Sequence, residues 1–104
     1  MTPFTLLQVE WTNSATKSFS KIIEWLNDNW SGKEVNSFIR QTEQFIETIQ
    51  RHPESCRPSQ KRKNVRIGLL NKHTQLVYHY SIRNKKITIL LFWPMKQNPN
   101  LLKY

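Results

Sequence analysis

From residue 55 to residue 104 the sequence contains no aspartate and no glutamate. All seven acids, Glu10, Glu24, Asp28, Glu34, Glu43, Glu47 and Glu54, fall before that point, together with five of the sixteen lysines and arginines. The remaining cations share their half with valine, isoleucine, leucine and aromatic residues, so that half is a folded basic surface and not a charged tail. Such a surface attracts polyanions or an acidic protein partner through steering that weakens with salt. The plainer alternative is that excess lysine serves solubility.

Other scarcities narrow the field. A single cysteine, Cys56, excludes an intramolecular disulfide and fits a reducing compartment; within "ESCRP" it reads as an exposed loop residue and not as a nucleophile. Two glycines, Gly32 and Gly68, leave no glycine-rich phosphate loop. No run approaches the roughly 18 apolar residues of a membrane span. The opening "MTPFTLLQVEW" lacks the basic and apolar regions of a signal peptide, so a cytoplasmic protein is expected. His52, His73 and His79 are scattered and form no cluster with one another or with the acids, so neither a metal nor another cofactor is expected. The length of 104 residues suits one domain, 1–104, of two layers.

Periodicity supplies the elements. Leu7, Val9 and Trp11 alternate with polar residues, as in a half-buried strand. After a cap at Asn13 or Ser14, Ala15, Phe19, Ile22, Ile23 and Leu26 follow helical spacing, and "NDNW" reads as the link to a second helix. Ser31 and Glu34 form a capping-box pattern there, flanked by Trp30 and Val35 as a hydrophobic staple. Val35, Phe38, Ile39, Thr42, Phe45, Ile46 and Ile49 make one stripe, which Pro53 stops. "PESCRPSQKRK" reads as a polar loop. The strands "NVRIGLL", "QLVYHYSI" and "KITILLFW" follow; the last is apolar on both faces and is expected to be central, covered on one side by the helical hairpin. The fold class is α+β in the order β-α-α-β-β-β.

Lys61, Arg62, Lys63, Arg66, Arg83, Lys85 and Lys86, interleaved with Tyr78, His79 and Tyr80, suit phosphate contacts and base stacking. Burial of Tyr78 and Tyr80 on one strand face is the competing reading.

The phrases "VEWTNSATKSFSKIIEWLNDNWS", "FIETIQRHP", "NVRIGLLNKHTQLVYHYSI" and "ITILLFWPMKQNP", in this order, resemble the RelE/ParE superfamily of bacterial toxins from type II toxin–antitoxin systems. The likeness runs from about Leu7 to Leu102. It implies a strand and a helical hairpin on a twisted, mainly antiparallel sheet. It also implies a plasmid-stabilising or related toxin whose cognate acidic antitoxin wraps over it in a hetero-oligomer.

The superfamily divides by mechanism. RelE-like toxins enter the ribosome and cleave mRNA, which requires a base for the ribose 2′-hydroxyl, cations for the phosphorane and an acid for the leaving oxygen. Position by position, the resemblance assigns one strand cation to Arg66, but its partner two residues on is Gly68, and the arginine expected before "LVY" is Gln75. Lys96 and Tyr104 match the basic and tyrosine positions of the C-terminal part, and His79 or His73 remains as a base in an unusual arrangement. A neutral amide in place of a cation at such a site costs on the order of 3 kcal/mol of transition-state stabilisation. The "KQNP" phrase resembles the basic-x-Asn/Asp-Pro ending of the ParE branch, whose members bind DNA gyrase and need no catalytic residues. The expectation is therefore a ParE-like toxin that binds gyrase and its antitoxin through Lys61, Arg62, Lys63, Arg66, Arg83, Lys85, Lys86 and Lys96. The alternatives are a ribosome-dependent mRNA endonuclease using Arg66, His79, Lys96 and Tyr104, and a non-toxic nucleic-acid-binding relative.

Overall fold

Period-two alternation builds the sheet and the helical stripes build its cover. The computed structural model describes residues 7–96 and 102–104. Strand β1 (Gln8–Trp11) leads into helices α1 (Asn13–Asn29) and α2 (Gly32–Arg51), followed by strands β2 (Arg57–Pro58), β3 (Val65–Asn71), β4 (Thr74–Ser81) and β5 (Lys86–Pro94). The sheet order is β1-β5-β4-β3-β2, with β1 parallel to β5 and the other pairs antiparallel. The α+β expectation holds, as two helices on one face of a five-stranded mixed sheet. The doubly apolar β5 lies inside the sheet between β1 and β4, while β4 is the middle strand.

Three local expectations change. The cap of α1 is Thr12, not Asn13 or Ser14: its hydroxyl accepts the Ala15 N–H at 3.0 Å. The sheet selects it, because the Thr12 N–H donates to the Ile89 carbonyl at 3.1 Å and its hydroxyl reaches the Ile89 and Leu90 carbonyls at 3.2 and 3.0 Å. Helix α1 also absorbs most of "NDNW", leaving Trp30 and Ser31 between the helices. Within the supposed loop, Arg57 and Pro58 pair with Ile67 and Arg66 as a two-residue edge strand, a position that tolerates proline.

The start of α2 does follow its signature. The Glu34 carboxylate accepts the Ser31 N–H at 3.2 Å and the Ser31 hydroxyl, and these bonds hold its carboxyl below the usual carboxylate range. Trp30 is 61% exposed, so the expected staple with Val35 buries little.

The inner, helix-covered face carries the main core: Ala15, Phe38, Ile49, Leu76, Tyr78, Ile87, Ile89 and Phe92. Phe19 lies 5.2 Å from Phe92 and 5.5 Å from Phe38, ring centre to ring centre, locking both helices to β5. Past the end of β1, α1 itself runs beside β5, and the Ser18 hydroxyl accepts the Phe92 N–H at 3.0 Å. A second cluster, Val65, Ile67, Val77 and Leu102, with Leu90, Leu91, Trp93 and Tyr104 against it, lies on the outer face.

Candidate functional site

Strand register sorts the candidate residues by face. Val65, His79 and Thr88 form one cross-strand row of the outer face, Ile67, Val77 and Leu91 the next, and Leu69, Gln75 and Trp93 the third. Alternation sends Arg66, Gly68, Leu76, Tyr78 and Tyr80 to the inner side. On the outer face a concavity of about 600 Å³ is lined by Arg62, Lys63, Val65, His79, Thr88, Leu90 and Tyr104. Arg62 and Lys63 also border a depression of about 280 Å³ that contains Arg66, Tyr80 and Ile82. The larger concavity has cations, an imidazole and a phenol over an apolar floor, and none of its lining residues is acidic.

The loop before β3 holds residues 102–104 against this face. Lys61 Nζ donates to the Leu102 carbonyl at 2.7 Å, Arg62 Nε to the Lys103 carbonyl at 3.0 Å, and the Ser59 hydroxyl to the backbone oxygen of Tyr104. The Arg62 guanidinium stands 5.0 Å over the Tyr104 ring. Nothing in the "SQKRK" pattern announced this pairing across more than forty residues; the apolar Leu102 within a polar stretch was its one trace.

The residues expected of a ribonuclease do not converge. Arg66 Nη1 donates to the Cys56 carbonyl at 2.6 Å and the Glu54 carbonyl at 3.2 Å, so its charge ties down the loop ahead of β2. A side chain at Gly68 would meet Cys56 Sγ at 2.5 Å and Phe45 Cζ at 2.7 Å, so no lysine or arginine fits there without displacing both. Gln75 sits on the outer face between Leu69 and Trp93. Lys96 lies 5.6 Å over the Trp25 ring of α1, away from the concavity. His79 and Tyr104 alone of that set line the same hollow. The "KQNP" ending beyond Lys96 lies outside the described residues.

The binding candidates are similarly distributed. Lys61 and Arg62 are engaged with residues 102–104, and Lys63 lines both hollows. Arg83 and Lys85 lie at the β4–β5 turn, where Lys85 adopts a left-handed φ of 51°. Lys86 pairs with Glu10 at 3.2 Å, so one cation of the basic half does meet an acid of the first half. Tyr78 is not a stacking platform: it is fully buried and its phenol donates to the Pro53 carbonyl at 2.6 Å. Desolvation, reinforced by neighbouring Cys56, pushes that phenol's pKa up. Tyr80 packs partly against the inner core. Among the described residues no cluster of three or more His, Cys, Asp or Glu side chains could hold a metal, and no helix is long and apolar enough to cross a membrane.

The family model described as the ParE toxin of the type II toxin–antitoxin system parDE matches residues 9–99. The chain belongs to the ParE toxin family. No curated protein sequence matches it. Among solved structures this ParE-family chain is similar to the chromosomal ParDE toxin–antitoxin system from P. aeruginosa, with TM-score 0.70 and 16% identity over 88% of this chain and 98% of that one. It is also similar to the YoeB/ParE toxin from Agrobacterium tumefaciens, with TM-score 0.62 and 11% identity over 85% and 98% of the two chains. The archaeal RelE–RelB complex from Pyrococcus horikoshii follows, with TM-score 0.61 and 13% identity over 90% and 100%. These likenesses establish the shared fold. Among the described residues of this ParE-family chain, the outer face of the sheet carries no helix.

Proposed function

We propose that this ParE-family toxin acts in the cytoplasm as a binding protein on DNA gyrase, and that an acidic antitoxin neutralises it in a toxin–antitoxin hetero-oligomer. The observation that carries this reading is the fate of the strand cations. The Arg66 guanidinium is spent on the Glu54 and Cys56 carbonyls, and the position two residues on is closed by Phe45 and Cys56. Without a charged pair in β3 to stabilise a phosphorane, the outer face serves recognition better than phosphoryl transfer. Lys63, Arg83 and Lys85 then act additively through charge complementarity. Purified protein is expected to inhibit gyrase supercoiling and to leave ribosome-bound mRNA intact. In bacteria, induction of the toxin alone slows growth and co-expression of the adjacent antitoxin gene restores it; equal growth in both cultures, with folded toxin present, would contradict the toxin reading.

A second reading draws on one specific observation: His79 and Tyr104 share a hollow with Arg62 and Lys63. An imidazole base, a phenol and two cations are the groups that 2′-hydroxyl attack on a phosphodiester uses. Codon-specific cleavage of ribosome-bound mRNA, abolished in His79→Ala, would replace the gyrase reading with this one.

A further inference from the structure

Two turns at one end of the sheet carry cations. The loop 59–64 precedes β3 and the turn 82–85 joins β4 to β5; the Tyr80 N–H donates to the Asn64 carbonyl at 2.9 Å, so the loop is a hydrogen-bonded neighbour of the end of β4. The two turns contribute Lys63, Arg83 and Lys85, all exposed, and the Arg62 bond to the Lys103 carbonyl brings exposed Lys103 to the same end. Among the described residues none of these four makes an ion pair. Two acids are near: Glu10 is neutralised by Lys86, and Glu54 borders the depression that Arg62 and Lys63 line. Cations outnumber acids at this end.

Both turns are fixed by their own hydrogen bonds. In the loop the Ser59 hydroxyl accepts the backbone N–H groups of Lys61 and Arg62 at 3.0 and 3.2 Å, and the Ser59 N–H donates to the Val65 carbonyl at 2.8 Å. In the turn the Asn84 N–H donates to the Ser81 hydroxyl at 3.2 Å, the Lys85 N–H to the Ile82 carbonyl at 3.3 Å, and the Lys85 carbonyl accepts the Gln8 N–H at 3.2 Å. Each carries one residue in the left-handed backbone region, Asn64 with φ 64° and Lys85 with φ 51°. Asparagine adopts that conformation readily; for lysine it is strained, and glycine would hold it without steric cost. A strained lysine held in place by the bonds around it points to a charge that is used.

We propose that this end of the protein binds the phosphate backbone of duplex DNA through Lys63, Arg83, Lys85 and Lys103. Cations presented on two fixed turns meet a row of phosphates without needing a pocket, and a lysine serves there as a point charge. A duplex suits the surface better than a single strand, whose unpaired bases need aromatic platforms. The aromatic rings near the turns are engaged: Tyr78 is buried, Tyr80 packs partly against the inner core, and the Arg62 guanidinium covers the Tyr104 ring. Phosphate contacts carry no sequence information, so the binding is electrostatic and indifferent to base sequence. This goes beyond the gyrase reading, in which the same cations face a protein, and does not rest on it.

Fluorescence anisotropy on the full chain, with a labelled DNA duplex of about 20 base pairs in a salt series and no gyrase present, tests this. Four phosphate contacts predict that log K falls against log salt with a slope of about −3 to −4, whatever the base sequence. Lys85→Gly is the decisive variant. It relieves the backbone strain and removes the charge, so it should melt at or above the parent's temperature and yet bind the duplex roughly three- to tenfold more weakly, with the slope reduced by about one. Arg83→Gln, which leaves the left-handed position untouched, should weaken binding to a similar degree and supplies the answer if Lys85→Gly fails to fold. Lys72→Gln removes the same charge from the β3–β4 turn at the opposite end and should bind like the parent. Equal losses in Lys72→Gln and Arg83→Gln would reduce the effect to net charge and overturn the assignment. So would absence of duplex binding at low salt, or tighter binding of a single strand or of an RNA duplex of the same length. Inhibition of gyrase is measured separately, and its presence or absence leaves this result standing.

Discussion

The two faces of one sheet differ in how their polar groups are used. On the inner face helices α1 and α2 cover the core, and three polar groups there are committed: the Tyr78 phenol to Pro53, the Arg66 guanidinium to Glu54 and Cys56, the Thr42 hydroxyl to the Phe38 carbonyl at 2.8 Å. On the outer face the described cover is residues 102–104, and Lys63, His79 and Thr88 line an open hollow. Strand alternation alone divides the tasks, since Arg66 and its neighbours Val65 and Ile67 point opposite ways. A cation one position earlier or later in β3 would have faced the hollow. Charge at a strand position therefore informs about function only after its face is known.

The sharpest test of the division is to empty the inner face. Phe92→Ala removes the ring that touches both Phe19 and Phe38 and should cost about 3–5 kcal/mol, measured by chemical denaturation. Next comes Gly68→Ala, expected to lose about 1–3 kcal/mol because its new methyl collides with Cys56 Sγ and Phe45. Were Gly68 simply a vanished catalytic cation, alanine there would be harmless. At the start of α2, Ser31→Ala should cost about 1 kcal/mol in thermal melts. Glu34 adds a sign to that experiment. Its pKa is depressed in the folded state, so its contribution is present above the unfolded carboxylate pKa and is lost as pH falls through the lower folded value. The parent should lose its margin over Ser31→Ala on acidification. The smallest change in stability, within about 0.5 kcal/mol, is expected for Lys63→Glu on the outer face. That variant should melt like the parent and yet weaken growth inhibition by degrees, whereas abolition in one step would indicate catalysis.

Much of the inner face was legible. The α2 stripe named Phe38, Thr42 and Ile49, all buried, and the alternation of "QLVYHYSI" put Tyr78 and Tyr80 on one face, where Tyr78 is fully buried and Tyr80 packs partly against the core. Both signals are local repeats set by backbone geometry. The outer site was legible only in its composition. Lys61, Arg62, Lys63, His79 and Tyr104 were singled out, but the partnership of Ser59, Lys61 and Arg62 with residues 102–104 depends on chain return, for which no periodicity exists. The Thr12 cap was misplaced for the same reason, because Asn13 and Ser14 are equally good local caps and the decision belongs to carbonyls on β5. Gln75 drew notice as a missing charge. Its register between Leu69 and Trp93 shows where that charge would have stood.

The hydroxyls of Thr12 and Ser18 have a consequence for solution behaviour. A parallel partner strand accompanies β5 only as far as Ile89, and beyond it the strand would present open backbone groups of the kind that recruit another chain. Thr12 takes up the Ile89 and Leu90 carbonyls and Ser18 the Phe92 N–H, so a helix finishes what a strand began. Sealing this stretch of β5 by hydroxyl groups guards the chain against strand-to-strand aggregation without adding a residue to the sheet.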